Sequence, residues 1–216
     1  MNSIIGLISA FIYIFVIILI STRLVKYPYE SSRIFVHIMA ANAWFIGIFL
    51  IKDYWFAFSI PVFFIIFTTL NIIFDWVPAL NSKIRYKSLG NIYYVCSVAL
   101  LTLLTFNLNR FQIAGGLGIM VMAYGDGFAS LIGQRFGSHT YTIFKGKKSL
   151  EGSLTMFVVS VLAIIAYLAI VQFSLNWYVI IVIAAVATVV EGISPYGLDN
   201  IFVPLIVALL YTVYLF

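Results

Sequence analysis

Residues 152–172, with the sequence GSLTMFVVSVLAIIAYLAIVQ, contain no charged side chain and decide the fold class of this chain. A membrane-spanning helix requires about 20 apolar residues, and in lipid the backbone hydrogen bonds must be satisfied within a helix or a closed barrel. Long unbroken apolar runs exclude a barrel, because barrel strands alternate lipid-facing and lumen-facing residues. The run therefore predicts a transmembrane α-helix.

Seven further apolar runs accompany this one along the 216-residue chain, of which only 9% is charged. A soluble domain carries about 25% charged residues, so the composition excludes a soluble globular protein. We predict an all-α, polytopic integral membrane protein. It is expected to be a helical bundle of about eight transmembrane helices, with seven as the alternative, in a single domain, 1–216. The predicted spans are 3–20, 34–51, 55–74, 91–108, 112–134, 152–172, 177–192 and 200–216.

The loops on one side of the predicted bundle hold almost all of the charge. All but Lys52 and Arg110 of the 12 Lys and Arg residues lie in or beside these loops, and so do all acidic residues except Asp53. The positive-inside rule puts this side in the cytoplasm and both termini outside. Topology and anionic lipid head groups explain the net charge of +5, which does not indicate nucleic-acid binding. We expect an active site facing the cytoplasm, formed by loops 21–33, 75–90, 135–151 and 192–199.

Asp126 stands in the segment AYGDGFASLIGQRFG, residues 123–137, near the end of a predicted span. An acidic side chain there is costly and indicates function, and the flanking glycines let a metal or a phosphate approach the backbone. Those glycines also weaken the helix, so Asp126 is expected at a break. The alternative is an Asp that pairs with a buried base or reaches the inner surface. Upstream, Gly115, Gly116 and Gly118 favour close helix packing.

Three lysines lie just before a predicted helix in FKGKKSLEGS, residues 144–153. Lys145, Lys147 and Lys148 offer point charges to phosphates, and the N–H groups at a helix start also attract anions. The segment is not a Walker A loop, because that loop requires glycine where Tyr141 stands and Ser or Thr where Lys148 stands. An ordinary basic loop at the inner membrane surface is the alternative.

Acidic and amide side chains cluster in EGISPYGLDNIFVP, residues 191–204, which contains no base. Glu191, Asp199 and Asn200 supply oxygen atoms, and Mg²⁺ in nucleotide sites is held by one or two carboxylates, phosphate oxygens and water. Such a segment together with a lysine loop is typical of a magnesium–nucleotide site. Asp199 as the N-cap of the last span is an alternative, and both roles can hold.

Arg33 and His37 are four residues apart, so they share one face of a helix at the inner end of the second span. Both can reach a phosphate or an acid. A satisfied interfacial histidine is the alternative for His37.

These segments resemble the polyprenol kinase family, which comprises dolichol kinases, phytol and farnesol kinases and CTP-dependent diacylglycerol kinases. The resemblance covers most of the chain and rests on GKKSLEGS at 146–153 combined with GLDNIFVPL at 197–205. The Arg-Lys-x-x-His pattern of the family is kept at Arg33 and His37, but Ile34 replaces the lysine. The resemblance implies transfer of the γ-phosphoryl group of CTP to the hydroxyl of a membrane isoprenoid alcohol of the phytol, polyprenol or dolichol type, or of diacylglycerol.

Together with the charge pattern, the resemblance implies roles for the candidate residues, with Mg²⁺ as cofactor and CTP as donor. The predicted metal ligands are Asp126, Glu151, Glu191, Asp199 and Asn200. The predicted nucleotide and phosphate contacts are Lys145, Gly146, Lys147, Lys148, Ser149, Arg33 and His37. Asp126 and Asp199 are the predicted catalytic residues: each can bind metal or orient the hydroxyl, and one of them can be the general base.

Two other classes stay open. One is a different lipid–nucleotide enzyme, either a phosphatidate cytidylyltransferase or a kinase of prenyl phosphates. The cytidylyltransferase would show a C-terminal run of acids with Asp-Arg spacing, which this sequence lacks. The other class is a non-catalytic small transporter, which would distribute polar residues through the span centres. The sequence predicts neither the identity of the lipid alcohol nor an oligomeric state.

Overall fold

The computed structural model describes residues 2–23, 29–81, 85–108, 111–143 and 146–216. The chain divides into two compact units, Met1–Asn107 and Leu108–Phe216. Lys145 lies outside the described residues, as do parts of the predicted loops 21–33, 75–90 and 135–151.

The described part of the first unit is helical. Asp53 fixes the start of its fourth helix, because its side chain accepts hydrogen bonds from the backbone N–H groups of Trp55 at 2.9 Å and Phe56 at 3.4 Å. That helix ends at Asp75, which adopts a left-handed conformation with φ of 52°. The elements are α1 (Asn2–Arg23), α2 (Tyr29–Ala40), α3 (Ala43–Leu50), α4 (Tyr54–Phe74), a 3₁₀ turn (Pro78–Leu80) and α5 (Arg85–Thr105).

The second unit combines helices with one short hairpin. Its elements are α6 (Phe111–Met120), a π-helical segment (Val121–Asp126), α7 (Gly127–Phe136), β1 (Thr140–Ile143), β2 (Gly146–Ser149), α8 (Leu150–Ile170), α9 (Trp177–Ile193) and α10 (Asp199–Leu215). The first three elements follow one another without a break. Helix α8 packs against α7 and α9, and α10 packs against α6 and α9.

The eight predicted spans all fall on helices, although the span 34–51 is divided between α2 and α3, so the all-α fold is confirmed apart from the hairpin. Helices α9 and α10 are apolar but contain only 17 residues each, fewer than a membrane span usually needs. The orientation of the termini stays a prediction. Within the described residues, six segments are long and apolar enough to cross a membrane: Ser3–Arg23, Ser31–Leu50, Tyr54–Phe74, Ser88–Thr105, Phe111–Phe136 and Leu150–Ile170.

The antiparallel hairpin β1–β2 interrupts the loop between α7 and α8, where the sequence patterns above predict no strand. Thr140 pairs with Ser149, Tyr141 with Lys148 and Thr142 with Lys147. The first strand, TYTI, consists of β-branched and aromatic residues, which favour extended backbone. The hairpin places part of the lysine segment on a strand rather than in an irregular loop.

Glycine lets helices of the second unit approach closely. A Cβ atom added to Gly118 of α6 would overlap the backbone carbonyl oxygen of Pro204 in α10. A Cβ on Gly125, in the π-helical segment, would overlap the side chains of Met156 and Ser160 in α8. The close helix packing predicted for the α6 glycines is confirmed at Gly118.

Substitution of Gly118 by Ala should therefore lower the stability of the protein. The added methyl group meets backbone rather than a flexible side chain, so α6 and α10 must move apart, at a cost of about 1–3 kcal/mol. The measurement is the thermal unfolding midpoint in one detergent. Gly47→Ala is the matched control, because its Cβ would make an ordinary contact of 3.5 Å with Phe106. Equal midpoints for the Gly118 and Gly47 variants would contradict this account of the packing.

Candidate active site

Asp126 is the last residue of the π-helical segment that joins α6 to α7. π-Helical turns within α-helices are rare and occur frequently at functional sites. The break that the glycines predict thus takes the form of a wider helical turn, and the chain continues directly into α7. Gly125 keeps this turn against α8, since any side chain there would overlap Met156 and Ser160.

Glu191 and Asp199 lie on the two sides of the turn between α9 and α10. Glu191 is in the last turn of α9, and Asp199 is the first residue of α10. The chain reverses through Tyr196 and Gly197, whose φ values of 57° and 82° are both left-handed. Asp199 is not the N-cap, because Leu198 holds that position without a side-chain hydrogen bond. The reversal brings the two carboxylates together.

Asp126, Glu191 and Asp199 form a cluster of three carboxylates, each with an oxygen atom within 4.8 Å of the others. Glu191 and Asp199 are only 6% and 8% exposed. Helix α7 starts directly after Asp126 and ends about ten residues later, which corresponds to roughly 15 Å along the helix axis. Because the loop between the short helices α9 and α10 lies beside Asp126, the cluster is recessed below the end of α7.

Lys148 extends from β2 into this carboxylate cluster. Its ammonium group donates hydrogen bonds to the side chain and the backbone carbonyl of Glu191, and it lies 3.3 Å from Oδ2 of Asp199. The side chain of Lys148 is 19% exposed. Burial alone would lower the pKa of this ammonium group. The negative charges of Glu191, Asp199 and Asp126, with the hydrogen bond to Glu191, outweigh burial and raise the pKa above its ordinary value.

The oxygen-rich cluster fits a divalent cation such as Mg²⁺. Three carboxylates and one ammonium group leave excess negative charge when the acids are ionised, and Mg²⁺ prefers oxygen ligands. Asn200 adds a second observation. Its Nδ2 donates to Gly197 O and to Oδ1 of Asp199, both at 3.2 Å, whereas its buried Oδ1 has no hydrogen-bond partner among the described residues. A buried carbonyl oxygen of this kind is available to a ligand.

The two described lysines of the hairpin point to different sides of it. Neighbouring side chains on a strand face opposite ways, so Lys148 lies on the face of its partner Tyr141 and Lys147 on the other. The Tyr141 hydroxyl is 2.7 Å from the hydroxyl of Ser153 in α8. Lys147 is exposed. The structure thus brings Lys148, and not Lys147, to the carboxylates.

Ser149 has a structural role at the start of α8. Its hydroxyl oxygen accepts a hydrogen bond from the backbone N–H of Gly152 at 3.1 Å, and the side chain is buried. Added Cβ atoms on Gly133 and Gly137 would crowd this hydroxyl. Gly146 begins β2 and Ser149 ends it. The phosphate contacts expected of Gly146 and Ser149 stay predictions.

Glu151 is separate from the carboxylate cluster. Its carboxylate binds Ser138 and His139, at the entrance to β1.

Arg33 and His37 belong to α2 of the first unit, where the His37 ring lies 4.7 Å from the ring of Tyr94. The sequence patterns indicated the acids and Lys148, and His139 as a weaker candidate, but not Ser138, Tyr141 or Ser153. The signal that could have found them is the strand-like TYTI run.

Comparison with known proteins identifies phytol kinases as relatives in sequence. The chain is 37% identical over 186 residues to the phytol kinase of Synechocystis sp. (strain ATCC 27184 / PCC 6803 / Kazusa), covering 85% of this chain and 78% of that protein. It is 34% identical over 128 residues to the probable chloroplastic phytol kinase of Triticum aestivum, covering 54% of this chain and 41% of the relative. It is 34% identical over 101 residues to the chloroplastic phytol kinase 1 of Arabidopsis thaliana, covering 42% of this chain.

The chain spans 41% and 33% of the length of these two plant proteins. Neither a family model nor a solved structure matches it. The similarity to the Synechocystis protein, by contrast, extends over most of both chains. The chain therefore belongs to the phytol kinase family, enzymes that transfer a phosphoryl group to an alcohol.

Proposed function

We propose that this chain is a magnesium-dependent lipid kinase that transfers the γ-phosphoryl group of CTP to the hydroxyl of a membrane isoprenoid alcohol. An alcohol of the phytol type is the first candidate for the substrate; polyprenol, dolichol and diacylglycerol are the others. The observation that carries the proposal is the convergence of Asp126, Glu191 and Asp199 with Lys148. Membership of the phytol kinase family supports the reaction class, and the resemblance to CTP-dependent kinases supports the donor.

Asp126, Glu191 and Asp199 would hold Mg²⁺, with Asn200 Oδ1 beside them. A bound Mg²⁺ supplies positive charge to the phosphate oxygens of the nucleotide. Lys148, whose ammonium group lies among these carboxylates, would donate to a phosphate oxygen of the nucleotide, as a lysine does in phosphoryl-transfer sites.

One carboxylate of the cluster would orient the acceptor hydroxyl and accept its proton. Phosphoryl transfer depends mainly on positioning and charge, so such a base need only lie within hydrogen-bond reach of the hydroxyl. Asp126, at the end of the π-helical segment, and Asp199, at the start of α10, are the proposed residues for this role.

The apolar surroundings of the recess support a lipid acceptor. The cluster lies about 15 Å before the end of α7, in a segment long and apolar enough to cross a membrane, which is the environment of an alcohol that carries a long apolar chain. The basic residues in the loops near this end support a cytoplasmic orientation, with both termini on the opposite side.

A label-transfer assay tests this function. The purified protein in detergent would receive CTP or ATP labelled at the γ-phosphate, Mg²⁺, and in separate reactions phytol, geranylgeraniol, a dolichol or diacylglycerol. We expect label in the isoprenoid alcohol with CTP. CTP labelled at the α-phosphate serves as the second arm, since label from it in the lipid would indicate cytidylyl transfer. No γ-label in any alcohol, from folded protein with either nucleotide, would overturn the proposal.

Replacement of Lys147 by Ala should raise the KM for the nucleotide more than that for the lipid. Lys147 is exposed, so water screens the attraction between its ammonium group and a phosphate. The expected increase in the nucleotide KM is therefore up to about fivefold. The increase should shrink at high salt, where the charge is screened further. Steady-state kinetics at two ionic strengths provide the measurement. An unchanged nucleotide KM at low salt would contradict the phosphate role of Lys147.

A further inference from the structure

The hairpin β1–β2 is the element that carries Lys148 to the carboxylate cluster. It contains four residues in each strand and pairs with no other strand among the described residues. An isolated two-stranded hairpin is marginally stable at best in water. The position of Lys148 therefore depends on what anchors the hairpin to the helices of the second unit.

Glu151, in the first turn of α8, binds the chain just before β1. Oε1 of Glu151 accepts a hydrogen bond from the Ser138 hydroxyl at 2.6 Å and one from the backbone N–H of His139 at 3.1 Å. Nδ1 of the His139 ring lies 2.8 Å from the same oxygen and donates to it in the tautomer that has a hydrogen on this nitrogen. Three donors thus converge on one carboxylate oxygen.

Two further contacts show that this is the base of the hairpin. The backbone N–H of Leu150 donates to the carbonyl oxygen of His139 at 2.9 Å, directly beside the pair of Thr140 with Ser149. One residue further along β1, Tyr141 contacts Ser153. The strand that enters the hairpin is therefore held to the helix that follows it, and Glu151 supplies the charged part of that attachment.

We propose that Glu151 is a positioning residue that anchors the hairpin and so holds Lys148 in the active site, rather than a ligand of the metal. The inference rests on the proposed function, because it assigns Glu151 an effect on nucleotide binding through Lys148. A hydrogen bond to an ionised acceptor is about twice as strong as a neutral one, so a carboxylate is suited to gather these donors. An amide at this position keeps the acceptor oxygen but loses the charge.

Glu151→Ala and Glu151→Gln test the proposal by two readouts. The first is hydrogen exchange of the backbone amides of residues 140–149. We expect exchange in Glu151→Ala to be faster by up to about fivefold, because the contacts of Glu151 are exposed to solvent, which weakens charged contacts. The second is kinetic: the nucleotide KM should rise while the lipid KM stays unchanged. Glu151→Gln should restore part of both effects.

Asp53→Ala is the matched control. Asp53 also accepts backbone hydrogen bonds at a helix start, but in the first unit and outside the hairpin. Its replacement should lower the unfolding midpoint and leave exchange in residues 140–149 unchanged. This comparison separates a general loss of stability from a specific release of the hairpin.

Two results would overturn the proposal, and a third would separate it from the proposed function. Unchanged exchange in residues 140–149 of Glu151→Ala would overturn the proposal. Weaker Mn²⁺ binding with unchanged exchange would also overturn it, since Glu151 would then be a metal ligand. Faster exchange with an unchanged nucleotide KM would support the anchoring role of Glu151 and would instead count against the nucleotide contacts in the proposed function.

Discussion

Replacement of Asp199 by Asn is expected to lower kcat by about 10²–10⁴-fold, the usual contribution of a group that moves a proton in the transition state. Asn preserves the size of the side chain but cannot accept a proton and is a weaker ligand for Mg²⁺. The same loss is expected for Asp126→Asn. Initial rates of label transfer from γ-labelled CTP, at saturating lipid, measure the effect.

Both variants should remain folded. Asp126 and Asp199 belong to a group of carboxylates within 4.8 Å of one another, so removing one negative charge reduces their mutual repulsion. We expect unfolding midpoints no lower than that of the wild type, which is the pattern of an active site that sacrifices stability for function. Asp53→Asn is the control and should keep full kcat. Near wild-type activity in either cluster variant would contradict its assigned role.

Replacement of Lys148 by Met should have the largest effect on stability as well as on activity. Removing one partner of a buried ion pair leaves uncompensated charge, at a cost of about 3–5 kcal/mol. Glu191 and Asp199 would be left facing each other and Asp126 without a cation. Activity should fall with stability, because the variant also lacks the proposed phosphate contact. Thermal unfolding and label transfer on the same preparations measure the two effects.

The double variant Lys148→Met, Glu191→Gln separates these effects. Replacing Glu191 removes one of the uncompensated charges, so part of the stability should return, whereas the activity should not. If the stability losses of the single variants simply add, the ion pair between Lys148 and Glu191 is not the source of the effect.

The raised pKa of Lys148 sets the pH range of this contribution. A lysine whose folded-state pKa lies above its unfolded value of about 10.4 stabilises the protein fully below that value. The contribution is lost only as the pH rises through the raised pKa. Between about pH 7 and 9 the stability difference between wild type and Lys148→Met should therefore not change through titration of the lysine.

The sequence was sufficient for the helices because each apolar run carries its own signal. Residues 152–172 predict a span without reference to any other segment, and the structure has α8 at Leu150–Ile170. The same holds for the other spans, except that the apolar run 34–51 does not predict the turn between α2 and α3. The hairpin was missed because its strands of four residues are too short for a period of two to stand out.

The site was predicted as a set of candidates and not as an arrangement. Lys148 is 43 residues from Glu191 and 51 from Asp199, and nothing local in the sequence shows that they meet. Glu151, by contrast, is adjacent to the lysines in sequence, yet its carboxylate binds Ser138 and His139. The spacing of residues along the sequence does not show which acids meet in the fold, so it could not separate Glu151 from Asp126, Glu191 and Asp199.

Divalent cation binding tests the central claim most directly, because that claim places the reaction at Asp126, Glu191 and Asp199. Mn²⁺ affinity would be measured by electron paramagnetic resonance with a non-hydrolysable CTP analogue, using wild type, Asp126→Asn, Asp199→Asn and Glu151→Gln. The account predicts one tightly bound Mn²⁺ per chain in the wild type and in Glu151→Gln, and weaker binding in the two Asp variants. Wild-type affinity in both Asp variants, or a loss of binding only in Glu151→Gln, would contradict it.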